Sequence, residues 1–117
     1  MNRTEGHLKM TVKELAAKYS FEILSMPEPD KEIEGGYIGD LLSWVMGRAE
    51  ASNVWLTIMT NMNIAAVAQL SDVSAVLICE GARPDANVIA TALEKGVNIL
   101  LTEDTAYNTA VKISADI

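Results

Sequence analysis

From Val54 onward the chain alternates unbroken apolar runs with stretches of helical periodicity, and this alternation limits the fold more than any other feature. "VWLTIMT" (54–60), "VSAVLIC" (73–79) and "VNILL" (97–101) are apolar at both alternating sets of positions. A strand with one wet face alternates apolar with polar residues; one that is apolar throughout needs cover on both faces. Between these runs, "NIAAVAQL" (63–70) reads as a short apolar helix with Asn61 or Asn63 as its cap. "RPDANVIATALEKG" has Pro84 in a first turn, a stripe of Val88, Ile89, Ala92 and Leu93, and Gly96 at the stop. "DTAYNTAVKISADI" closes as a helix with Ala106, Ala110, Ile113 and Ile117 aligned. Strand and helix in strict succession imply strands that run in one direction, with helices crossing over the sheet. The expected fold class is α/β: one domain, a mostly parallel sheet, helices on both faces.

The first half is less regular. "TVKELAAKYS" opens with Thr11 and has Glu14 three residues on, the capping-box pattern, and Val12, Leu15, Ala16 and Tyr19 follow at helical spacing. "FEILS" (21–25) reads as a short strand and "MPEPDKE" (26–32) as a loop. Asp40 is placed to cap the helix "LLSWVMGRAE", whose stripe is Leu41, Leu42, Val45, Met46 and Ala49. Trp44 lies off that stripe with Arg48 one turn later, so it is either the edge of the core or part of a contact surface, together with nearby Tyr37. The expected organisation is a flexible leader over residues 1–9 and one domain over 10–117.

A chain of 117 residues, half of them apolar, can bury one proper core. The formal charge of −7 argues against nucleic acid and anionic membrane surfaces, which recruit basic patches. It suits a soluble cytoplasmic protein. The one cysteine, Cys79, sits in an apolar run and reads as a small buried side chain in a reducing compartment. No stretch approaches the roughly 20 apolar residues that span a bilayer, and His7, in a polar setting, is no metal ligand.

In an open parallel sheet, ligands bind beyond the carboxyl ends of the strands, where the following loops converge. That selects "TNMN" (60–63), "EGARP" (80–84) and "TEDT" (102–105), each before a helix whose first N–H groups face the crevice. The candidate ligand residues are Thr60, Asn61, Asn63, Gly81, Arg83, Thr102, Asp104 and Thr105, with Arg83 as the nearby cation. The competing reading is plain helix capping, since Thr, Asn and Asp precede helices in any protein. Catalytic equipment is not visible: no P-loop, no G-x-G-x-x-G after a strand, no nucleophile elbow, and a single histidine. Glu103 and Asp104 could hold a magnesium ion, but Asp104 reads better as an N-cap. No cofactor is implied.

The run from "VWLTIMTNMN" through "GARPDANVI" to "ILLTEDT", with "GGYIGDLLSW" before it, resembles the DRTGG domain over residues 10–115. That module occurs within some phosphotransacetylases and CBS-domain pyrophosphatases and as small stand-alone proteins. Its fold is similar to the N-terminal domain of HPr kinase/phosphorylase and of the muramyl ligases, a non-catalytic part. Where the family carries Asp-Arg this chain has Asn61-Met62, and where it carries Thr-Gly-Gly this chain has Cys79-Glu80-Gly81. An asparagine and a methionine cannot grip an anion as an aspartate–arginine pair can. The resemblance implies a regulatory or small-ligand module, nucleotide-like in its ligand, acting as a homodimer with Tyr37, Trp44 and Arg48 at the interface. The alternative is an accessory protein-interaction subunit of a redox-enzyme or kinase-like system. The Gly35–Gly36 pair reads as a turn into the Asp40 helix rather than a phosphate loop, because no basic residue follows it closely.

Overall fold

The computed structural model describes residues 9–117. The expected leader at 1–9, apart from Lys9, and His7 within it lie outside the described residues. The elements are α1 (Val12–Tyr19), β1 (Glu22–Ser25), β2 (Gly36–Ile38), α2 (Leu42–Arg48), β3 (Val54–Thr57), α3 (Asn63–Ser71), β4 (Ala75–Ile78), α4 (Ala86–Lys95), β5 (Ile99–Leu101) and α5 (Ala106–Ile113). They form a five-stranded sheet in the order β1-β5-β4-β3-β2. Strands β2, β3, β4 and β5 run parallel, and β1 joins the β5 edge antiparallel.

Every residue of β3, β4 and β5 is buried, as their unbroken apolar character requires. Successive side chains point to opposite faces, so the strands feed two cores. On one face Trp55, Val76, Ile78, Ile99 and Leu101 pack with Val45 of α2, Ile64 and Ala68 of α3, and Val88 and Ala92 of α4. On the other, Val54, Leu56, Ala75, Leu77 and Leu100 pack with Val12 and Leu15 of α1 and Ile113 of α5. The capping box at Thr11 and Glu14 is formed, with both reciprocal bonds in place. Gly96 ends α4 in the left-handed conformation, at φ 73°.

Several local expectations need correction. Asp40 does not cap α2; the N-cap is Leu41, without a side-chain bond, and the Asp40 carboxylate turns instead to β3. Pro84 precedes the α4 N-cap, Asp85, rather than sitting in the first turn. Asp104 is likewise not the α5 cap, a role taken by Thr105, whose Oγ1 accepts from Asn108 N–H at 3.1 Å. The apolar stripes are narrower than their periodicity suggests: Leu41, Met46 and Leu93 are exposed, because α2 and α4 lie at the flanks of the sheet rather than over its centre.

The end of the sheet where β3, β4 and β5 begin is fastened by three buried polar residues, one just before each strand: Asn53, Ser74 and Asn98. Asn53 donates to Glu34 O at 2.8 Å and accepts from Glu50 N–H at 2.9 Å. Ser74 donates its hydroxyl to Glu32 O. Asn98 accepts from Glu28 N–H at 2.9 Å and donates to Glu28 O at 2.7 Å and Ser74 O at 3.0 Å. Together they bind the proline-bearing 26–34 loop to the bottom of the sheet. Replacing Asn98 by alanine strands the buried polar groups it serves, so Asn98→Ala is expected to cost about 2–3 kcal/mol of stability in urea unfolding.

Candidate functional site

Because β3, β4 and β5 are parallel neighbours, their exits share one rim. The register sets Thr57 beside Ile78 and Ile78 beside Leu101. Beyond it the backbone keeps bonding across strands: Cys79 N–H donates to Thr57 O at 2.8 Å and Thr102 N–H to Ile78 O at 2.9 Å. The β4 exit then folds back over the β5 exit, with Glu80 N–H donating to Asp104 O at 2.8 Å and Gly81 N–H to Thr102 O at 2.9 Å. Two consecutive left-handed residues make that turn, Glu80 at φ 61° and Gly81 at φ 67°. Glycine suits that left-handed position, and a Cβ on Gly81 would lie 2.5 Å from Glu103 Oε1, the end of an exposed side chain that would have to turn aside.

Backbone hydrogen bonds bring 80–81 together with 102–104, and most of the predicted side chains bond locally. Asn61 Oδ1 accepts from Asn63 N–H at 2.9 Å, but neither is the expected cap: the N-cap of α3 is Met62, which makes no side-chain bond. Thr102 Oγ1 accepts from Asp104 N–H at 3.3 Å. Asp104 Oδ1 accepts from Thr105 N–H at 2.9 Å and Asn108 Nδ2 at 3.1 Å. Asn108 and the Thr105 N–H, with Lys112 opposite, hold the Asp104 carboxyl below the usual carboxylate range. Arg83 grips Glu22 of β1 with both terminal nitrogens, at 2.9 and 2.7 Å. It is not the only cation near the rim, since Lys112 reaches Asp104 at 3.2 Å. Thr60 stands half-buried at the exit of β3.

Asp40 is the rim residue whose position sequence reasoning missed. Its carboxylate accepts from Thr57 Oγ1 at 2.7 Å and Ile58 N–H at 2.9 Å, tying the β2–α2 loop to the β3 exit. Trp55 secures the same loop by donating its indole N–H to Gly39 O at 2.9 Å. With Asp40, Glu80, Glu103 and Asp104 around it, the rim is acidic. Among the described residues no group of three or more His, Cys, Asp and Glu is placed to hold a metal ion, and no helix is long and apolar enough to cross a membrane.

A second concavity lies at the open edge of the sheet. It is a hollow of about 290 Å³ between β2 and α5, lined by Gly36, Ile38, Leu56, Ile113 and Ile117 among others. Gly36 forms part of its wall where β2 passes α5, and a Cβ there would meet Val54 O at 3.2 Å and Ile117 Cδ1 at 3.6 Å. Gly35, at φ 71°, makes the turn that brings the chain there, so the glycine doublet serves a turn and a hollow. Of the residues expected at an interface, Trp44 is half-exposed with the Arg48 guanidinium 3.9 Å from its ring centroid, while Tyr37 is partly buried against the core.

Sheet order, helices on both faces and a rim at the strand exits define a small, mostly parallel α/β domain. Residues 48–115 match the DRTGG domain, more than half of the 117, and the chain belongs to that family. Among solved structures, it is similar to the CBS and DRTGG domains of the regulatory region of Clostridium perfringens pyrophosphatase, complexed with the activator diadenosine tetraphosphate. The TM-score is 0.74 at 12% identity, over 92% of this chain and 47% of that one, a likeness of fold. The chain thus spans about half the length of that structure. No curated protein matches it.

Glu80 is not a glycine, yet it keeps a glycine-like φ of 61°. The left-handed region costs a non-glycine residue roughly 1–2 kcal/mol. Glu80→Gly should therefore stabilise the protein by about 1 kcal/mol in urea unfolding, whereas Gly81→Ala should destabilise it by about 1–2 kcal/mol through the left-handed backbone. Burial pushes the Cys79 thiol up to about 11, with the Glu80, Asp40 and Asp104 carboxylates adding to the effect. Below about pH 8.5 both folded and unfolded chains keep the thiol proton. Between there and pH 11 only the unfolded chain loses it, so stability falls as pH rises. The urea midpoint should drop between pH 8 and 10.5, and drop less in Cys79→Ala.

Proposed function

We propose that this chain is a non-catalytic regulatory module that binds a small, nucleotide-like ligand at the rim and works as a homodimer. The observation that carries this is the convergence of three parallel strand exits around Gly81. Gly81 N–H donates to Thr102 O there, and Thr60 and Asn61 follow the neighbouring exit of β3. Membership of the DRTGG family supports a regulatory role. So does the similar structure, a regulatory region that holds a nucleotide activator.

The electrostatics narrow the ligand. Arg83 and Glu22 form a pair that is about half exposed on both sides, and such pairs contribute little stability. An anionic ligand group can therefore take the place of Glu22 on the guanidinium at small cost. The carboxylates of Asp40, Glu80, Glu103 and Asp104 oppose a long polyphosphate, and Asn61-Met62 removes the arginine that the family carries there. A ligand with one phosphate, or a nucleoside, suits this rim better than one with a chain of phosphates.

Thermal unfolding with adenosine, AMP, ATP and diadenosine tetraphosphate tests the reading. AMP should raise the midpoint saturably. Arg83→Ala should fold normally and lose at least tenfold in AMP affinity. If none of the four compounds moves the midpoint at millimolar concentration, the nucleotide reading is wrong.

A further inference from the structure

Strand β2 is the outer strand of the sheet, and its free side has a shape that fits itself. On its inner side Val54 N–H donates to Gly35 O at 3.1 Å and Gly39 N–H to Leu56 O at 3.2 Å. Bonding direction alternates along a strand, so Gly36 and Ile38 turn their N–H and C=O groups outward. Side chains at these two positions belong to the face that carries the hollow. A Cβ on Gly36 would stand 3.2 Å from Val54 O and 3.6 Å from Ile117 Cδ1, and Ile38, itself half-exposed, lines the same hollow. Edge strands are commonly protected by lysine or proline; Gly36, Tyr37 and Ile38 offer neither.

We propose that a second copy of this chain pairs with this edge, β2 antiparallel to β2, about a two-fold axis at Tyr37. Such pairing sets Gly36 of each copy opposite Ile38 of the other and joins their outward N–H and C=O groups. Each Ile38 then lies over the mouth of the other copy's hollow, beside its Gly36, Leu56 and Ile117. The same three residues supply both the projection and the hollow, which is the self-complementarity that a two-fold contact demands. Leu41 and Trp44, exposed within six residues of β2, extend the apolar surface next to it. Covering them together with the strand would add apolar burial to the backbone pairing, over an interface smaller than a standard one. This inference rests on the homodimer reading and names the surface that makes it.

Sedimentation equilibrium between 1 and 200 µM tests it, with the opposite edge of the sheet as control. The wild-type chain should show a monomer–dimer equilibrium. Ile38→Lys should weaken dimerisation at least tenfold while keeping the circular dichroism spectrum, and Ile23→Lys, on β1, should leave it unchanged. Tyr37→Cys should form a covalent dimer under mild oxidation, because residues facing each other in a non-hydrogen-bonded antiparallel pair come within disulfide reach. A dimer that survives Ile38→Lys and yields no cross-link overturns the β2 surface and leaves the homodimer reading standing. A monomer at every concentration overturns both. If a chain starting at Lys9 dimerises and the full chain does not, residues of the same chain occupy the edge, and the proposal is overturned.

Discussion

Burial of three adjacent parallel strands on both faces is the constraint from which the rest of the structure follows. With no side of β3, β4 or β5 left to water, the connections must cross the faces as helices and deliver every strand in the same direction. All entrances then lie at one end of the sheet and all exits at the other. The two ends have different chemistry. Asn53, Ser74 and Asn98 close the entrance end with buried hydrogen bonds to a single loop, a stabilising arrangement with little room for a ligand. At the exit end, left-handed turns, side-chain hydroxyls and amides, and weakly held surface ion pairs leave groups that can be recruited.

The acidic rim distinguishes this domain from a general anion site. Two of its four carboxylates are fastened: Asp40 to Thr57 and Ile58, Asp104 to Asn108 and Lys112. They shape the loops as much as they set the potential. A ligand must satisfy that fixed pattern, which is why the proposed function narrows to a small molecule of low charge.

Much of the fold was legible because it is encoded locally. The doubly apolar strands, the Thr11–Glu14 capping box and the Gly96 stop each occupy a few consecutive residues. What was not legible depends on partners distant in the chain. Asp40 precedes a helix and so resembles a cap, but its bonds go to β3, and nothing within the "IGDLL" stretch shows that. The antiparallel attachment of β1 to β5 is invisible in "FEILS", since a short strand carries no mark of direction. Thr102 and Thr105 follow β5 directly, but Thr105 caps α5 and Thr102 makes a local turn bond to Asp104. The hollow at Gly36 was hidden because a glycine doublet signals a turn, while the cavity depends on where α5 passes.

The account stands or falls on whether the exit rim is the place where a small molecule settles. Amide chemical-shift mapping of isotopically labelled protein titrated with AMP tests this most directly. The account predicts progressive, saturable shifts confined to residues 57–63, 80–84 and 102–105. Shifts centred instead on residues 35–38 and 110–117, or none at all, would contradict it.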